Sequence, residues 1–300
     1  MNADFKPIEW DTALERDCRA LIQLALREDT LHIGDLTTQA LVDPDRQGAA
    51  QVASRQSGVV VGVNLPSLVI EEAKANARWT ATAGDSDRLA PGAVVGTLEG
   101  NARDLLTCER VILNLMSRLC GVASLTSEYV SAIQETSALV YDTRKTTPGW
   151  RLLEKFAVRC GGGMNHRTGL YDAVLIKDNH LALAKEEKLS PADAVVRARE
   201  SERNSGRTET VIEVEVDTLA QLEQVLPAAP DIVLLDNMPP ATLRDAVALR
   251  DQHAPNTVLE ASGGVRLDTI KPIAESGVDR ISVGAITHSA IGLDLGLDWL

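Results

Sequence analysis

The sequence predicts an α/β protein in two parts: a small α+β domain, then a parallel sheet with helical crossovers, open or closed into a barrel. Three observations carry this prediction. Between residues 138 and 285, six short apolar runs recur with helical patterns between most of them, and strand–helix alternation implies parallel strands. Before them, from 47 to 100, short β-branched runs alternate with turn residues. With 300 residues the chain is long enough for one large core or two smaller ones.

In chain order, residues 11–28 read as an amphipathic helix. Asp11 can cap it, and Leu14, Cys18, Leu21, Ile22 and Ala25 fall at helical spacing. "SGVVVGV" and "PGAVVGTLEG" read as strands of the small domain, with a helix following Pro66. A long helical region is expected from about 102 to 135, with a break at Gly121. The six later strands are "ALVYDT" (138–143), "AVLIKD" (173–178), "VIEVEV" (211–216), "DIVLLD" (231–236), "TVLEAS" (257–262) and "RISVGA" (280–285). Ser190 and Pro191 start one intervening helix, as N-cap and first helical residue.

Composition narrows the function. A net charge of −13 and 3% aromatic residues argue against nucleic-acid binding, which needs an electropositive face or a stacking platform. No apolar run is long enough to span a membrane, and the start "MNADFKPIEW" has no apolar core of a signal peptide. The four cysteines form no C-x-x-C pair, so free thiols in a reducing cytoplasm are expected rather than a zinc or dithiol site.

Each later strand ends in polar residues or glycine: Asp142-Thr143-Arg144-Lys145, Lys177-Asp178, Glu215, Asp236-Asn237, Ser262-Gly263-Gly264 and Gly284. In a barrel those ends form one face, where active sites lie. In "VIEVEV", Ile212, Val214 and Val216 point one way and Glu213 and Glu215 the other. If the apolar set packs on helices, both acids point inward and need a cation or hydrogen-bond donors. An internal ion pair suits Glu213; a functional role suits Glu215, nearer the strand end.

Seven basic side chains lie between 144 and 177 (Arg144, Lys145, Arg151, Lys155, Arg159, Arg167, Lys177), opposed only by Glu154 and Asp172. A solvated helix face accounts for Lys155. Arg144, Lys145 and Lys177 sit at strand ends and suit a polyanionic small molecule. Glu215 and Asp236 beside such a ligand call for a bridging hard cation, as Mg²⁺ does. "ASGG" (261–264) and "SVGA" (282–285) follow adjacent strands and suit a phosphate, with the helix after "ASGG" presenting its N-terminus. The loop "CGGGMNHRTG" (160–169) has two readings: a phosphate cradle, or a hinge in which the glycines take φ > 0 and deliver His166 and Arg167. The better-placed phosphate loops favour the hinge. Lys177 on a barrel strand would also suit Schiff-base chemistry, and a non-catalytic anion binder is a third possibility.

The stretches "CERVILNLMSRLCGVAS", "DTRKTTPGWR", "KFAVRCGGGMNHRTGLYDAVLIKDNH", "IEVEV", "LLDNM", "EASGG" and "GVDRISVGAITHS" occur in that order. Together they resemble the quinolinate phosphoribosyltransferase family, the carboxylating nicotinate-nucleotide pyrophosphorylases. The likeness begins at "REDTLHIGDLTT" (27–38) and runs nearly to the C-terminus. It implies an N-terminal α/β sandwich over 1–120, on which 287–300 packs, and an incomplete TIM-like α/β barrel over 121–286. It implies a cytoplasmic enzyme of NAD biosynthesis that makes nicotinate mononucleotide, pyrophosphate and CO₂ from quinolinate and phosphoribosyl pyrophosphate, with Mg²⁺. It also implies a homodimer with shared sites.

Carried over residue by residue, Thr143, Arg144, Lys145, His166, Arg167 and Lys177 would hold quinolinate, with Arg110 reaching into the partner subunit's site. Glu215 and Asp236 would take the ribose hydroxyls and the metal, directly or through water, and Ser262, Gly263, Gly264 and Gly284 the 5′-phosphate. Lys145, Lys177, Glu215 and Asp236 would be the catalytic set, and none would act as a covalent nucleophile.

Overall fold

The computed structural model describes residues 4–186 and 189–300. The chain begins with α1 (Thr12–Thr30), α2 (Leu36–Leu41), β1 (Gln47–Ser54), β2 (Gly58–Val59), α3 (Leu65–Ala73), β3 (Ala77–Ala81), β4 (Arg88–Leu89), β5 (Val94–Asn101) and α4 (Ala102–Ala132). It continues through β6 (Leu139–Tyr141), α5 (Arg151–Cys160), β7 (Ala173–Ile176), α6 (Asp178–Glu186), α7 (Pro191–Asn204), β8 (Val211–Val216) and α8 (Leu219–Val225). It ends with β9 (Ile232–Asp236), α9 (Pro240–His253), β10 (Val258–Ser262), α10 (Ile270–Ala274), β11 (Arg280–Ser282), α11 (Ala285–His288) and β12 (Leu295–Trp299).

These elements form two compact units. One comprises residues 8–127, 146–162 and 286–300. Its four-stranded antiparallel sheet has the order β12-β1-β5-β3, with Ala50 opposite both Trp299 and Leu98. Asp11 caps α1 by accepting from the Ala13 and Leu14 N–H groups, and Leu14, Cys18 and Ile22 are its buried stripe. Arg19 on α1 ties it to α3 through Glu71 and Glu72, each at 2.7 Å. Glu154 on α5 is fully buried and accepts from Arg118 and from the Thr147 N–H and hydroxyl, which anchors the start of that helix.

Two expectations fail in this unit. Gly121 does not break α4. A Cβ there would stand 2.0 Å from the Ile291 carbonyl oxygen, so the glycine serves a close backbone approach inside an unbroken helix. Lys155 is not on a solvated face: it has no exposed surface, within the buried run Leu153–Val158 of α5.

The other unit comprises residues 4–7, 128–145 and 163–285. Its six-stranded sheet is parallel throughout, in the order β6-β11-β10-β9-β8-β7. Strand expectations hold to within two or three residues at each end. Between the outer strands runs the irregular segment 163–167. Met164 forms a parallel bridge to Tyr141, and Arg167 Nη1 reaches the Ala173 carbonyl at 3.1 Å. The result is the incomplete TIM-like α/β barrel.

The N-terminal segment closes one end of this barrel. Phe5 packs on Ala173, Val211, Ile232 and Val258, the first residues of β7, β8, β9 and β10. Asp4 accepts from the Tyr141 hydroxyl at 3.1 Å and pairs with Arg280 at 3.2 Å. One expectation fails here too. The helix after "ASGG" does not begin at that loop: α10 starts at Ile270 and is five residues long. What remains next to Ser262 is a loop with Gly263 at φ 94° and Gly264 at φ 59°.

Candidate active site

The strands that form the barrel deliver their polar ends to one rim. β6 hands over Asp142–Lys145. The Asp142 carboxylate is fully buried and accepts from Asn165 Nδ2 at 2.6 Å and from the His166 N–H at 2.8 Å. It therefore fixes the segment carrying His166 and Arg167 to the end of β6. Thr143 Oγ1 accepts from the Lys145 N–H at 3.0 Å, and the Lys145 side chain is exposed.

Arg144 and Arg167 are close enough to perturb each other. Burial, then the Arg144 charge, hold the Arg167 guanidinium below its ordinary pKa, while Glu213 and Asp172 act the other way. Arg167 is 6% exposed. The Nε atoms of both arginines are buried and have no hydrogen-bond partner among the described residues. Such donors are costly to leave unpaired, so the pair is set up for an acceptor that arrives from outside. Asp172 accepts from the Thr168 and Gly169 N–H groups and folds the connecting loop back.

Lys177, just past β7, pairs with Glu215 near the end of β8, with Nζ 2.6 Å from Oε2. His180 Nδ1 accepts from the Lys177 N–H at 2.9 Å. Asp236, at the end of β9, accepts from Asn237 Nδ2 at 2.8 Å. A cavity of about 540 Å³ beside these ends is lined by Asp178, Glu215, Asp217 and Asp236, with Leu181 and Gln221. The Asp236 and Glu215 carboxylates are hard oxygen donors at neighbouring strand ends, the donor chemistry that a divalent cation of the Mg²⁺ type takes.

The glycine loop after β10 is built against Asn237. A Cβ on Gly263 would stand 2.3 Å from Asn237 Oδ1, and the Asn237 N–H donates to the Ser262 carbonyl at 2.8 Å. Asn237 itself adopts φ 53°, a left-handed conformation that asparagine tolerates better than most residues. Gly284 follows β11, the strand beside β10, so Ser262–Gly264 and Gly284 share the rim. In "CGGG", Gly162 takes φ 88°, and a Cβ on Gly161 would stand 2.4 Å from the Ala123 carbonyl oxygen. Gly162 alone takes the positive φ expected of a hinge; Gly161, at φ −78°, instead permits a close backbone approach.

The barrel thus brings together Thr143, Arg144, Lys145, Arg167, Lys177, Glu215, Asp236, Ser262, Gly263, Gly264 and Gly284. Arg110 belongs to the other unit, on α4, with its side chain 65% exposed. His166 faces the barrel interior, not the rim. Its ring lies 4.3 Å from that of Phe5, and Nε2 stands 3.0 Å from Glu213 Oε2 and 3.5 Å from Glu260 Oε1. Asp142 and Asn237 are named from sequence only as strand ends, without a role, and Asn165 and Glu260 are not singled out at all. Glu260 carries the same signal that singled out Glu213, a lone acid between apolar neighbours in a strand.

Comparison with known proteins bears on this geometry. Residues 35–120 match the quinolinate phosphoribosyl transferase N-terminal domain, and residues 122–298 match its C-terminal domain. A nicotinate-nucleotide pyrophosphorylase (carboxylating) of Mycobacterium leprae is 42% identical over 282 residues, which cover 93% of this chain and 96% of the relative. A chloroplastic relative from Arabidopsis thaliana is 37% identical, covering 94% and 82%. The solved nicotinate-nucleotide pyrophosphorylase of Francisella tularensis superposes with a TM-score of 0.89 at 36% identity, covering 99% of this chain and all of that one.

Proposed function

The chain belongs to the quinolinate phosphoribosyltransferase family, and from that membership we propose how its barrel rim does the family's reaction. The enzyme is a pentosyltransferase of NAD biosynthesis. It transfers phosphoribosyl from phosphoribosyl pyrophosphate to quinolinate and releases pyrophosphate and CO₂, leaving nicotinate mononucleotide.

The observation that carries the site reading is the Arg144–Arg167 pair. Two like charges share a partly desolvated place, and each keeps a buried Nε–H without an acceptor. A planar dicarboxylate relieves both costs, since guanidinium forks match carboxylates in geometry and charge. Thr143 and Lys145 extend this subsite. Lys177, Glu215 and Asp236 face the sugar and the leaving group, and Ser262–Gly264 with Gly284 take the 5′-phosphate on backbone N–H groups.

The chemistry follows from these positions. As pyrophosphate leaves C1′, positive charge builds on the ribose, and the carboxylates of Glu215 and Asp236 stabilise it. Lys177 offers its ammonium to the departing pyrophosphate. Holding the pyridine nitrogen against C1′ supplies orientation. Once alkylated, that nitrogen is cationic and stabilises the carbanion left at C2 when its carboxylate departs as CO₂; a proton from solvent then takes the carboxylate's place. No covalent enzyme intermediate is needed. Glu215 and Asp236 would hold Mg²⁺, whose charge, when bound, offsets that of the pyrophosphate. Arg110, exposed on α4, would serve the site of a second copy in a homodimer. The four free cysteines support a reducing, cytoplasmic location. Among the described residues no helix is long and apolar enough to cross a membrane.

The test is a pyrophosphate-release assay with phosphoribosyl pyrophosphate and either quinolinate or nicotinate, with and without Mg²⁺. Release is expected with quinolinate and Mg²⁺. A preference for nicotinate would contradict the dicarboxylate subsite, and full activity in a chelator would remove the metal.

A further inference from the structure

The barrel interior holds a cluster that the reaction does not use. Glu213 on β8 and Glu260 on β10 have no exposed surface, and His166 is 5% exposed between them and Phe5. The Ser282 hydroxyl donates to Glu260 Oε1. His166 Nδ1 accepts the Arg167 backbone N–H at 2.8 Å. A ring nitrogen that accepts a hydrogen bond carries no proton, so the proton of this imidazole is on Nε2. Nε2 lies 3.0 Å from Glu213 Oε2 and 3.5 Å from Glu260 Oε1. The shorter contact is close enough for the dipole of a neutral Nε2–H imidazole to be attracted by the carboxylate, although neither Glu213 oxygen completes a well-aligned hydrogen bond. Nδ1 is thus hydrogen-bonded inside the protein, and Nε2 faces the two buried carboxyl groups rather than the rim.

Resting on the site reading above, we propose that His166 does not touch the substrate but is the pivot of a buried relay. In it Ser282, Glu260 and Glu213 orient the imidazole, and the imidazole holds the Arg167 backbone at the quinolinate subsite. His166, Glu213 and Glu260 are thus positioning residues. The relay is anchored at both ends. Asp142 holds the His166 N–H, and Phe5, set on the first residues of four strands, forms the floor under the ring. A small error at Arg167 would matter, because misplacing a binding group by about 1 Å can cost on the order of 100-fold in rate.

The same three side chains place one possible ligand atom each within 4.8 Å of one another, which is the geometry of a cation site. The relay excludes it: a proton on Nε2 occupies the lone pair that a metal would need.

Two variants separate the roles of the ring nitrogens. In His166→Asn the side-chain oxygen falls near the Nδ1 position and can still accept the Arg167 N–H. In His166→Gln the amide reaches the Nε2 position instead. The relay predicts that His166→Asn, which keeps the acceptor but loses the Nε2 support, raises the KM for quinolinate about as much as Glu260→Gln and less than His166→Gln. It predicts that His166→Gln and Glu260→Gln raise that KM by roughly 10- to 100-fold, as lost supporting contacts do, with the KM for phosphoribosyl pyrophosphate little changed. The reverse order of the two His166 variants would overturn it, since Nε2 would then be the nitrogen that matters.

A second readout needs no variant to be active. Ring ¹⁵N spectra of the wild-type enzyme, assigned with His166→Asn among the 5 histidines, should show the neutral Nε2–H tautomer at pH 7.5, with and without quinolinate. A ring signal that becomes doubly protonated on adding quinolinate would mean direct contact with the substrate. Metal analysis finding about one ion per chain, lost in Glu260→Gln, would replace the relay with a metal site. If wild type binds no quinolinate by calorimetry, the site reading falls, and the tautomer still decides whether the relay exists.

Discussion

At Glu260 a carboxyl without exposure sits beside a second buried carboxylate. Burial, reinforced by Glu213 and opposed by His166 and Arg280, pushes it from an ordinary 4.5 up to about 7. Between those values the folded chain holds a proton that the unfolded chain has lost. Stability from this group therefore falls as pH rises through that window, and no further loss comes above it. Glu260→Gln removes the effect, so the variant's melting temperature relative to wild type should rise from about pH 5 to about pH 8. A flat difference would mean that Glu260 ionises freely. Arg144 and Arg167 present the opposite case, charges kept for a ligand. Arg144→Ala and Arg167→Ala should each lose roughly 100-fold or more in kcat/KM for quinolinate. Melting should change little, because relief of repulsion offsets the lost packing and the lost Arg167–Ala173 bond; a comparable large fall in melting temperature for both would assign them to the core instead. These arginines were legible in the sequence, as basic residues at or near strand ends. The interior role of His166 was not, because adjacency to Arg167 says nothing about which way each side chain turns.

Helix α4 sets local propensity against packing. From sequence, Gly121 reads as a break, since a mid-helix glycine costs about 1 kcal/mol relative to alanine. The structure keeps the helix whole because the Ile291 carbonyl lies where a Cβ would be. Gly121→Ala should therefore destabilise by about 2 kcal/mol or more in denaturant unfolding, the backbone clash outweighing the propensity gain. A stabilised variant would contradict that close approach. The reason was invisible in the sequence because the obstructing carbonyl lies far along the chain. The barrel strands were legible because β-branched runs with polar ends repeat six times. The Phe5 floor was not, because one aromatic residue in an irregular N-terminal segment has no period to reveal it. Gly263 joins element to function: with φ 94° and Asn237 against it, Gly263→Ala should raise the KM for phosphoribosyl pyrophosphate while sparing that for quinolinate. Equal rises in both would place the loop elsewhere in the site.

For the whole molecule, a net charge of −13 opposes two anionic substrates, so binding depends on a local positive rim rather than on the overall field. If Arg110 completes the site of a second copy, Arg110→Ala and Lys177→Ala, each inactive alone, should recover part of the activity when mixed. Subunit exchange without recovery would leave each site within one chain. The central claim is that the rim binds a dicarboxylate and couples its decarboxylation to phosphoribosyl transfer. The most direct measurement follows CO₂ from quinolinate labelled at the C2 carboxyl, alongside pyrophosphate, in wild type and Arg167→Ala. The account predicts equal amounts of the two products in wild type and the loss of both in the variant. Pyrophosphate without labelled CO₂, or undiminished turnover in Arg167→Ala, would contradict it.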